Sequence, residues 1–303
     1  MKRKSVYYTE KWKYTALLMI LPALLVVFVF TIYPFLRSVR YAFTDYNMAS
    51  TTPRFIGLTN YVNMVLDKSF SLVVQNSLKI TFVYTVMINI FSLFLSILIY
   101  KVGTKFGNLI KTIIYFPQLL SMVVVGFLWR IMFNYNYGPI NSLLSALGVS
   151  HDLLPQWLGD VNLVIPSVSV ALVWLVAGYY AIVYFAGLIN IPHMYYEVAA
   201  IEGATPWKEL IHVTLPFLAP SITISTVLLT VESLSVFAVP AAMTDGGGPG
   251  RYGTTMALWA YNTYYSNFQY GKAIAISVVL GLVAILLAFV EMKILLNRED
   301  NVV

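Results

Sequence analysis

Glu232 is the residue whose position most demands an explanation. It lies between Val231 and Ser233 inside a long apolar run, with Ser235 close behind. A charge at the centre of a bilayer helix costs roughly 2.5 kcal/mol or more on insertion scales, so such a residue faces a cavity or a partner. A carboxylate accepts hydrogen bonds from hydroxyls, which suits a polyol ligand. Glu232, Ser233 and Ser235 are therefore candidates to line a solute pathway. The competing reading is a buried interhelical hydrogen bond to a neighbouring subunit.

The other groups capable of chemistry do not converge. His193 and Glu197 stand four apart and share a helix face, but no further ligand joins them, so a solvated face fits better than a metal site. The remaining histidines, His151 and His212, fall in two different connections, and cysteine is absent. Gly248-Pro249-Gly250-Arg251-Tyr252-Gly253 satisfies G-x-G-x-x-G, yet it follows no strand and opens no βαβ unit. No G-x-x-x-x-G-K-S/T phosphate loop occurs. With essentially one carboxylate expected inside the spans, a membrane-embedded acid–base enzyme has too few groups.

The elements that carry these residues are membrane helices. The chain has 303 residues, 59% hydrophobic and 11% charged, with a mean hydropathy of +0.76. A soluble domain carries about 25% charged residues. Six segments have spanning length: Thr15–Leu36, Ile80–Tyr100, Ile110–Met132, Leu163–Asn190, Phe217–Ala241 and Ile274–Leu296. Pro240 is expected to close the fifth. The predicted fold class is an all-α integral membrane protein of about six transmembrane helices. A short amphipathic surface helix is expected over 138–148. The first apolar run, of about 20 residues, is followed by Leu36-Arg37-Ser38 rather than a small-x-small site, which predicts an uncleaved helix.

The net charge of +6 follows topology rather than nucleic-acid binding. Lys2, Arg3, Lys4, Lys11 and Lys13 precede the first span; Lys101, Lys105 and Lys111 join the second to the third; Lys293 and Arg298 end the sixth. Asp152 and Asp160 mark the third-to-fourth connection. By the positive-inside rule both termini are cytoplasmic, although Arg37, Arg40, Arg54 and Lys68 weaken the bias. This gives a cytoplasmic tail at 1–14, one membrane domain at 15–296 and a C-terminal tail at 297–303.

The connection between the fourth and fifth spans differs from the rest. Helix formers flank Gly203-Ala204, Gly203 permits a left-handed break, and Pro206 is placed to start a second helix. Leu215-Pro216 ends the excursion. Its mixed charges (Glu197, Glu202, Lys208, Glu209) suit a rigid protrusion that docks a soluble partner.

Here the sequence resembles a known family. Glu197-x-Ala199-x-x-x-Gly203-Ala204 followed by Val213-x-Leu215-Pro216 is similar to the EAA loop of binding-protein-dependent ABC importer permeases. Phe55-Ile56-Gly57-Leu58-Thr59-Asn60-Tyr61, Tyr115-Phe116-Pro117, Trp129-Arg130-Ile131-Met132-Phe133, Gly187-Leu188-Ile189-Asn190-Ile191-Pro192 and Met243-Thr244-Asp245-Gly246-Gly247-Gly248-Pro249 resemble its carbohydrate-importer (maltose/glycerol-phosphate-type) branch. Val198 and Val213 depart from the pattern by small apolar exchanges.

The resemblance implies a type I importer fold in a bacterial or archaeal cytoplasmic membrane. It implies a second permease, two cytoplasmic ATPases gripping a coupling loop over 191–216, and an external solute-binding protein. It also implies a sugar or sugar-like solute. ATP and Mg belong to the ATPases, so this chain is expected to bind no cofactor and to have no catalytic site. Glu197, Ala199, Gly203, Ala204, Trp207, Leu215 and Pro216 are the loop's coupling residues, with Gly203 as hinge. Gln118 and Trp174 fall where maltose-type permeases meet sugar; Trp174 is equally compatible with helix packing. Tyr179 or Tyr180 is expected to face the cavity, and Tyr180 joins the candidate set. The rival class is an ion-coupled secondary transporter, which needs coupling-ion sites and often has inverted repeats; the sequence displays neither.

Overall fold

A computed structural model describes residues 10–49, 52–102 and 104–299; the basic residues at 2–4 and the end of the C-terminal tail lie outside them. Helix α1 (Glu10–Val27) passes through a π turn at Phe28–Ile32 into α2 (Tyr33–Tyr41). The turn closes with the Tyr33 N–H bonded to the Phe28 carbonyl. It sits just ahead of Pro34, which has no N–H to continue the α ladder. The apolar stretch Leu17–Tyr41 has none of its most hydrophobic window buried by the rest of the chain.

A connection then leads to α3 (Thr59–Val65) and the long α4 (Phe70–Val102). Asn60 fixes that connection: it is buried and donates to the carbonyls of Ala42 and Thr44, each at 2.8 Å. Helix α5 (Thr104–Tyr115), a 3-10 turn at Phe116–Leu119 and α6 (Met122–Met132) make the expected third span. It is not one straight helix, because its two halves meet at 99°. Leu120 (φ −80°, ψ 145°) and Ser121 (φ −62°, ψ 136°) are extended, and this breaks the helix between the two halves. The surface helix α7 (Pro139–Ala146) falls inside the expected stretch.

Helix α8 (Val164–Ile189) is the central element, packed along α4. The core between them includes Ile80, Ile88, Val168, Leu172 and Leu175, closed by Leu229. Then follow α9 (His193–Ile201), α10 (Pro206–Glu209) and α11 (Leu215–Phe217). Helix α12 (Ala219–Leu234) comes next, bent by 69° from the segment Pro206–Phe217.

The fifth span ends earlier than the sequence suggests. Helix α12 stops at Leu234, and Pro240 lies in the first turn of α13 (Ala238–Thr244) instead of closing the span. A first-turn proline has no intrahelical N–H bond to lose, so it begins a helix as readily as it ends one. Helices α14 (Met256–Tyr265) and α15 (Tyr270–Glu299) complete the chain. Met64, Val73, Trp259 and Ile276 form a second core beneath α14.

Among the described residues, four helices are long and apolar enough to span a membrane, or up to six if each bent pair is one span. The ends of the bundle are distinct. Asn76 near the start of α4 bonds the carbonyls of Arg251 and Thr254, and Lys272 of α15 pairs with Asp67 at 3.0 Å. The last turns of α4, at Tyr100 and Lys101, share a cavity with His193, Tyr196 and Glu209 at the opposite end.

Candidate coupling loop and solute site

The α9–α10 excursion is built as a rigid elbow. Gly203 has φ +71°, its N–H bonds the Ala200 carbonyl at 3.1 Å, and the Ala204 N–H bonds the Ala199 carbonyl at 2.9 Å. This paired closure is a Schellman turn, whose left-handed residue is normally glycine. Thr205 then caps α10 by accepting from the Lys208 N–H at 3.4 Å, with Pro206 in the first turn. A π turn at Leu210–Thr214 carries the chain to Pro216. The excursion runs on through Leu215 and Pro216 into α11; the change of direction comes at Leu218.

The two legs are tied together and back to the bundle. The Tyr195 and Phe217 rings stand 4.5 Å apart, and the Tyr196 hydroxyl meets the Thr214 hydroxyl at 3.4 Å. Burial pushes the Tyr196 hydroxyl pKa up. Ile191, Leu188 and Leu218 form a small core at the root of the loop. Beyond that root the loop exposes apolar groups: Ile201 is 86% and Trp207 68% exposed. Glu197 is exposed as well and contacts His193 at 3.3 Å. Among the described residues no group of three or more His, Asp or Glu is placed to hold a metal. Ala199 and Ala204 are half-buried in the Schellman turn, and Leu215 and Pro216 are half-buried at the return.

The second site lies where α4, α8 and α12 meet. Tyr84 of α4 points its hydroxyl at Glu232 Oε2, a long contact at 3.5 Å. The Tyr180 hydroxyl of α8 approaches the same carboxylate without closing a hydrogen bond to it. One layer away, Asn89 donates to the Thr226 hydroxyl at 3.2 Å and accepts from the Tyr184 hydroxyl. Among the described residues, the buried hydroxyls of Thr81, Thr85, Tyr180 and Ser225 close no hydrogen bond. Buried polar groups are normally satisfied, so this junction has spare donors and acceptors beside a carboxylate. That is the equipment for hydrogen-bonding a hydroxylated solute.

The remaining candidates are placed differently. Ser233 is buried and its hydroxyl donates to the Thr230 carbonyl, away from the surface that carries Glu232. Ser235 is exposed at the end of α12, with its hydroxyl 3.3 Å from the Val231 carbonyl. Gln118, in the 3-10 turn before α6, has a buried side-chain oxygen without a partner. Trp174 stands edge-on to Trp129 at 5.8 Å and lines an apolar cavity of about 640 Å³ with Pro117 and Gly178. The hydroxyl in that wall, Ser169, bonds its own helix at Ile165. Trp174 therefore sits among apolar groups, while Tyr180 and Glu232 share the polar junction.

Two residues escaped the sequence reading. Tyr84 carried no motif and is recognisable only from its contact with Glu232. Glu291 is a second carboxylate within the expected spans, correcting the count of one; it accepts from the Thr230 hydroxyl at 3.0 Å. It lies late in the sixth segment, two residues before Lys293.

The helical spans, the protruding elbow and the polar junction together define a multi-pass membrane transport subunit. Residues 88–296, more than two thirds of the chain, match the family model described as binding-protein-dependent transport system inner membrane component, and the chain belongs to that family. It is 31% identical to the trehalose/maltose transport system permease protein MalF of Thermococcus litoralis, over 96% of this chain and 98% of that one. It is also 31% identical to the lactose transport system permease protein LacF of Rhizobium radiobacter, over 95% and 94% of the two chains. The diacetylchitobiose uptake system permease protein NgcF of Streptomyces coelicolor is 28% identical, over 98% of this chain and 85% of that one. In fold the chain matches a chain of a bacterial ABC transporter involved in the import of the acidic polysaccharide alginate, with a TM-score of 0.81 at 23% identity over 95% and 96% of the chains. The fold is thus the type I ABC importer permease fold. The chain is a transport subunit of an ABC importer, not an enzyme, and family membership favours this over an ion-coupled secondary transporter.

Proposed function

We propose that this subunit forms half of the translocation route for a sugar or sugar-like solute. In this reading a second permease completes the route, an external binding protein delivers the solute, and two cytoplasmic ATPases drive the cycle. Each ATPase grips one coupling loop, and the loop over 191–216 is this chain's handle. ATP and Mg are bound by the ATPases, and both termini of this chain are cytoplasmic, on the coupling-loop side.

The observation that carries the reading is the elbow itself. A Schellman turn and ring contacts hold its two short legs at a fixed angle, while Ile201 and Trp207 stand exposed at its tip. A rigid arm moves as a unit when its tip is displaced, and the α9 end is rooted on α8 while the α11 end leads into α12. Closure of the ATPases would thereby reach the helices that carry Tyr180 and Glu232. The sugar assignment draws on the relatives named for trehalose/maltose, lactose and diacetylchitobiose. The carboxylate and tyrosine hydroxyls at the α4–α8–α12 junction suit such a solute.

The test is co-expression with the candidate ATPase and second permease, followed by ATPase pull-down. Retention by wild type and loss in Gly203→Asp supports docking through the elbow. Equal retention by the variant, or none by wild type, overturns the coupling role.

A further inference from the structure

The side of the bundle opposite the coupling loop carries a chain of aromatic rings that the proposed route has not used. It starts at the end of α2, where Tyr41 stacks on Tyr46 of the first connection at 4.9 Å. Tyr46 meets Tyr270 at 5.2 Å, and Tyr270 stacks on Tyr264 at 4.3 Å. Along α14 the contacts continue from Tyr264 to Tyr265 at 4.9 Å and from Tyr265 to Tyr261 at 4.6 Å. Tyr261 finally stacks on Phe237 at 5.3 Å, in the break between α12 and α13.

Tyr41, Tyr46, Tyr264 and Tyr270 are half-buried, and the rest of the run is exposed. Helix α14 buries Trp259, Leu258 and Met256, whereas Tyr261, Tyr265 and Phe237 are 42%, 60% and 40% exposed. The spacing Tyr261, Tyr264, Tyr265 puts three rings on one helical face. At the far end of the run, Tyr46 opens on a polar cavity of about 470 Å³ lined by Asp45, Asn63, Asp67 and Gln269 among others. At the near end, Phe237, Tyr261 and Tyr264 line a groove of about 460 Å³ that reaches Ser235. Ser235 is one helical turn beyond Glu232.

A run of flat rings with amide and carboxylate groups at its Tyr46 end and the Ser235 and Ser277 hydroxyls at its Phe237 end offers groups for both surfaces of a sugar. The C–H face of a pyranose packs on an aromatic ring, and its rim of hydroxyls bonds planar polar groups. We propose that the run from Tyr46 to Phe237 is a carbohydrate track, along which successive glycosyl units of an oligosaccharide stack on their way to the Glu232 junction. The proposal rests on the sugar-importer reading above and adds a preference for chains of several units, because a longer chain covers more rings.

The complete importer, reconstituted in liposomes with its binding protein, provides the test. Radiolabelled maltose, lactose, diacetylchitobiose and maltopentaose serve as probes, and both sugar uptake and ATP hydrolysis are measured. Tyr261→Leu with Tyr265→Leu is expected to lower maltopentaose moved per ATP about fivefold, roughly the effect of losing one or two ring contacts. Disaccharide transfer should change less, and binding-protein-stimulated ATP hydrolysis should stay as in wild type. Tyr261→Phe with Tyr265→Phe, which keeps the rings, should transport within about twofold of wild type. Unchanged maltopentaose transfer in the leucine variant overturns the track and leaves the sugar reading intact. Loss in both variants together with reduced membrane abundance assigns the rings to an interfacial anchoring belt and also overturns it. A wild type that moves none of the four sugars overturns the sugar reading, and the track with it.

Discussion

At the scale of single residues, the polar junction and the elbow make opposite demands. Glu232 has to keep a carboxylate within reach of Tyr84 and Tyr180. Hydrogen bonds to charged groups contribute about 1.5–3 kcal/mol, so Glu232→Gln should raise the half-saturating solute concentration about tenfold or more. Tyr84→Phe, which retains the ring and its packing, should produce a smaller rise in the same uptake assay. Unchanged uptake in both variants would remove the junction from the route. Gly203 is required for its backbone and not for lack of space, because a Cβ placed there meets nothing within 4 Å. The left-handed conformation costs a non-glycine residue roughly 1–2 kcal/mol, with Asn among the residues that tolerate it best. Gly203→Asn should therefore retain more ATPase in pull-down than Gly203→Val, and the reverse order would reject the Schellman turn as the reason for glycine.

At the scale of elements, close approach decides which helices pack. A Cβ on Gly178 would strike the backbone carbonyl of Ile114 and sit 3.1 Å from the Tyr115 nitrogen. Helix α8 thus reaches the end of α5 only because residue 178 has no side chain. Overpacking of this kind costs roughly 1–3 kcal/mol, so Gly178→Val should lower the thermal unfolding midpoint of the purified protein measurably. One link between the first connection and α15 is electrostatic, the Lys272–Asp67 pair. Burial pushes the Asp67 carboxyl pKa up, but the Ser69 N–H and the Lys272 ammonium outweigh it and hold the value below the usual range. A depressed carboxylate contributes stability that is present above the unfolded value of about 3.9. That stability is lost as pH falls through the lower folded value. Unfolding midpoints should fall in that acid window for wild type and depend less on pH there for Asp67→Asn.

At the scale of the whole molecule, the exposed faces dictate assembly. Leu17–Tyr41 buries none of its apolar window against its own chain, and the elbow exposes Ile201 and Trp207 to the opposite environment. On the proposed importer reading, one surface meets lipid or another membrane chain and the other a soluble partner. The chain reconstituted alone should therefore take up no sugar under a proton or sodium gradient. Adding the second permease, the ATPases and the binding protein should produce ATP-dependent uptake. Gradient-driven uptake by the lone subunit would reverse the assignment to an ATP-driven importer.

The helical membrane class and the helix–Gly–helix elbow were legible in the sequence, whereas the bounds of the spans were legible only in part. Each of these is a local property: apolar length, a residue tolerant of positive φ, a proline in a first turn. Pro240 misled because a proline compatible with a helix's first turn also ends one, and only the break at Ser235–Phe237 tells the two apart. The 99° bend after Pro117 was hidden for a similar reason, since apolar length does not record direction. What tertiary structure alone decided is which polar groups meet. Ser233 follows Glu232 directly yet turns inward, because adjacent helical residues point about 100° apart. Tyr84 lies 148 positions from Glu232, and the aromatic run joins residues from the first connection to the last helix. Those distances close only when α4, α8, α12 and α15 pack, and no spacing within one segment encodes them.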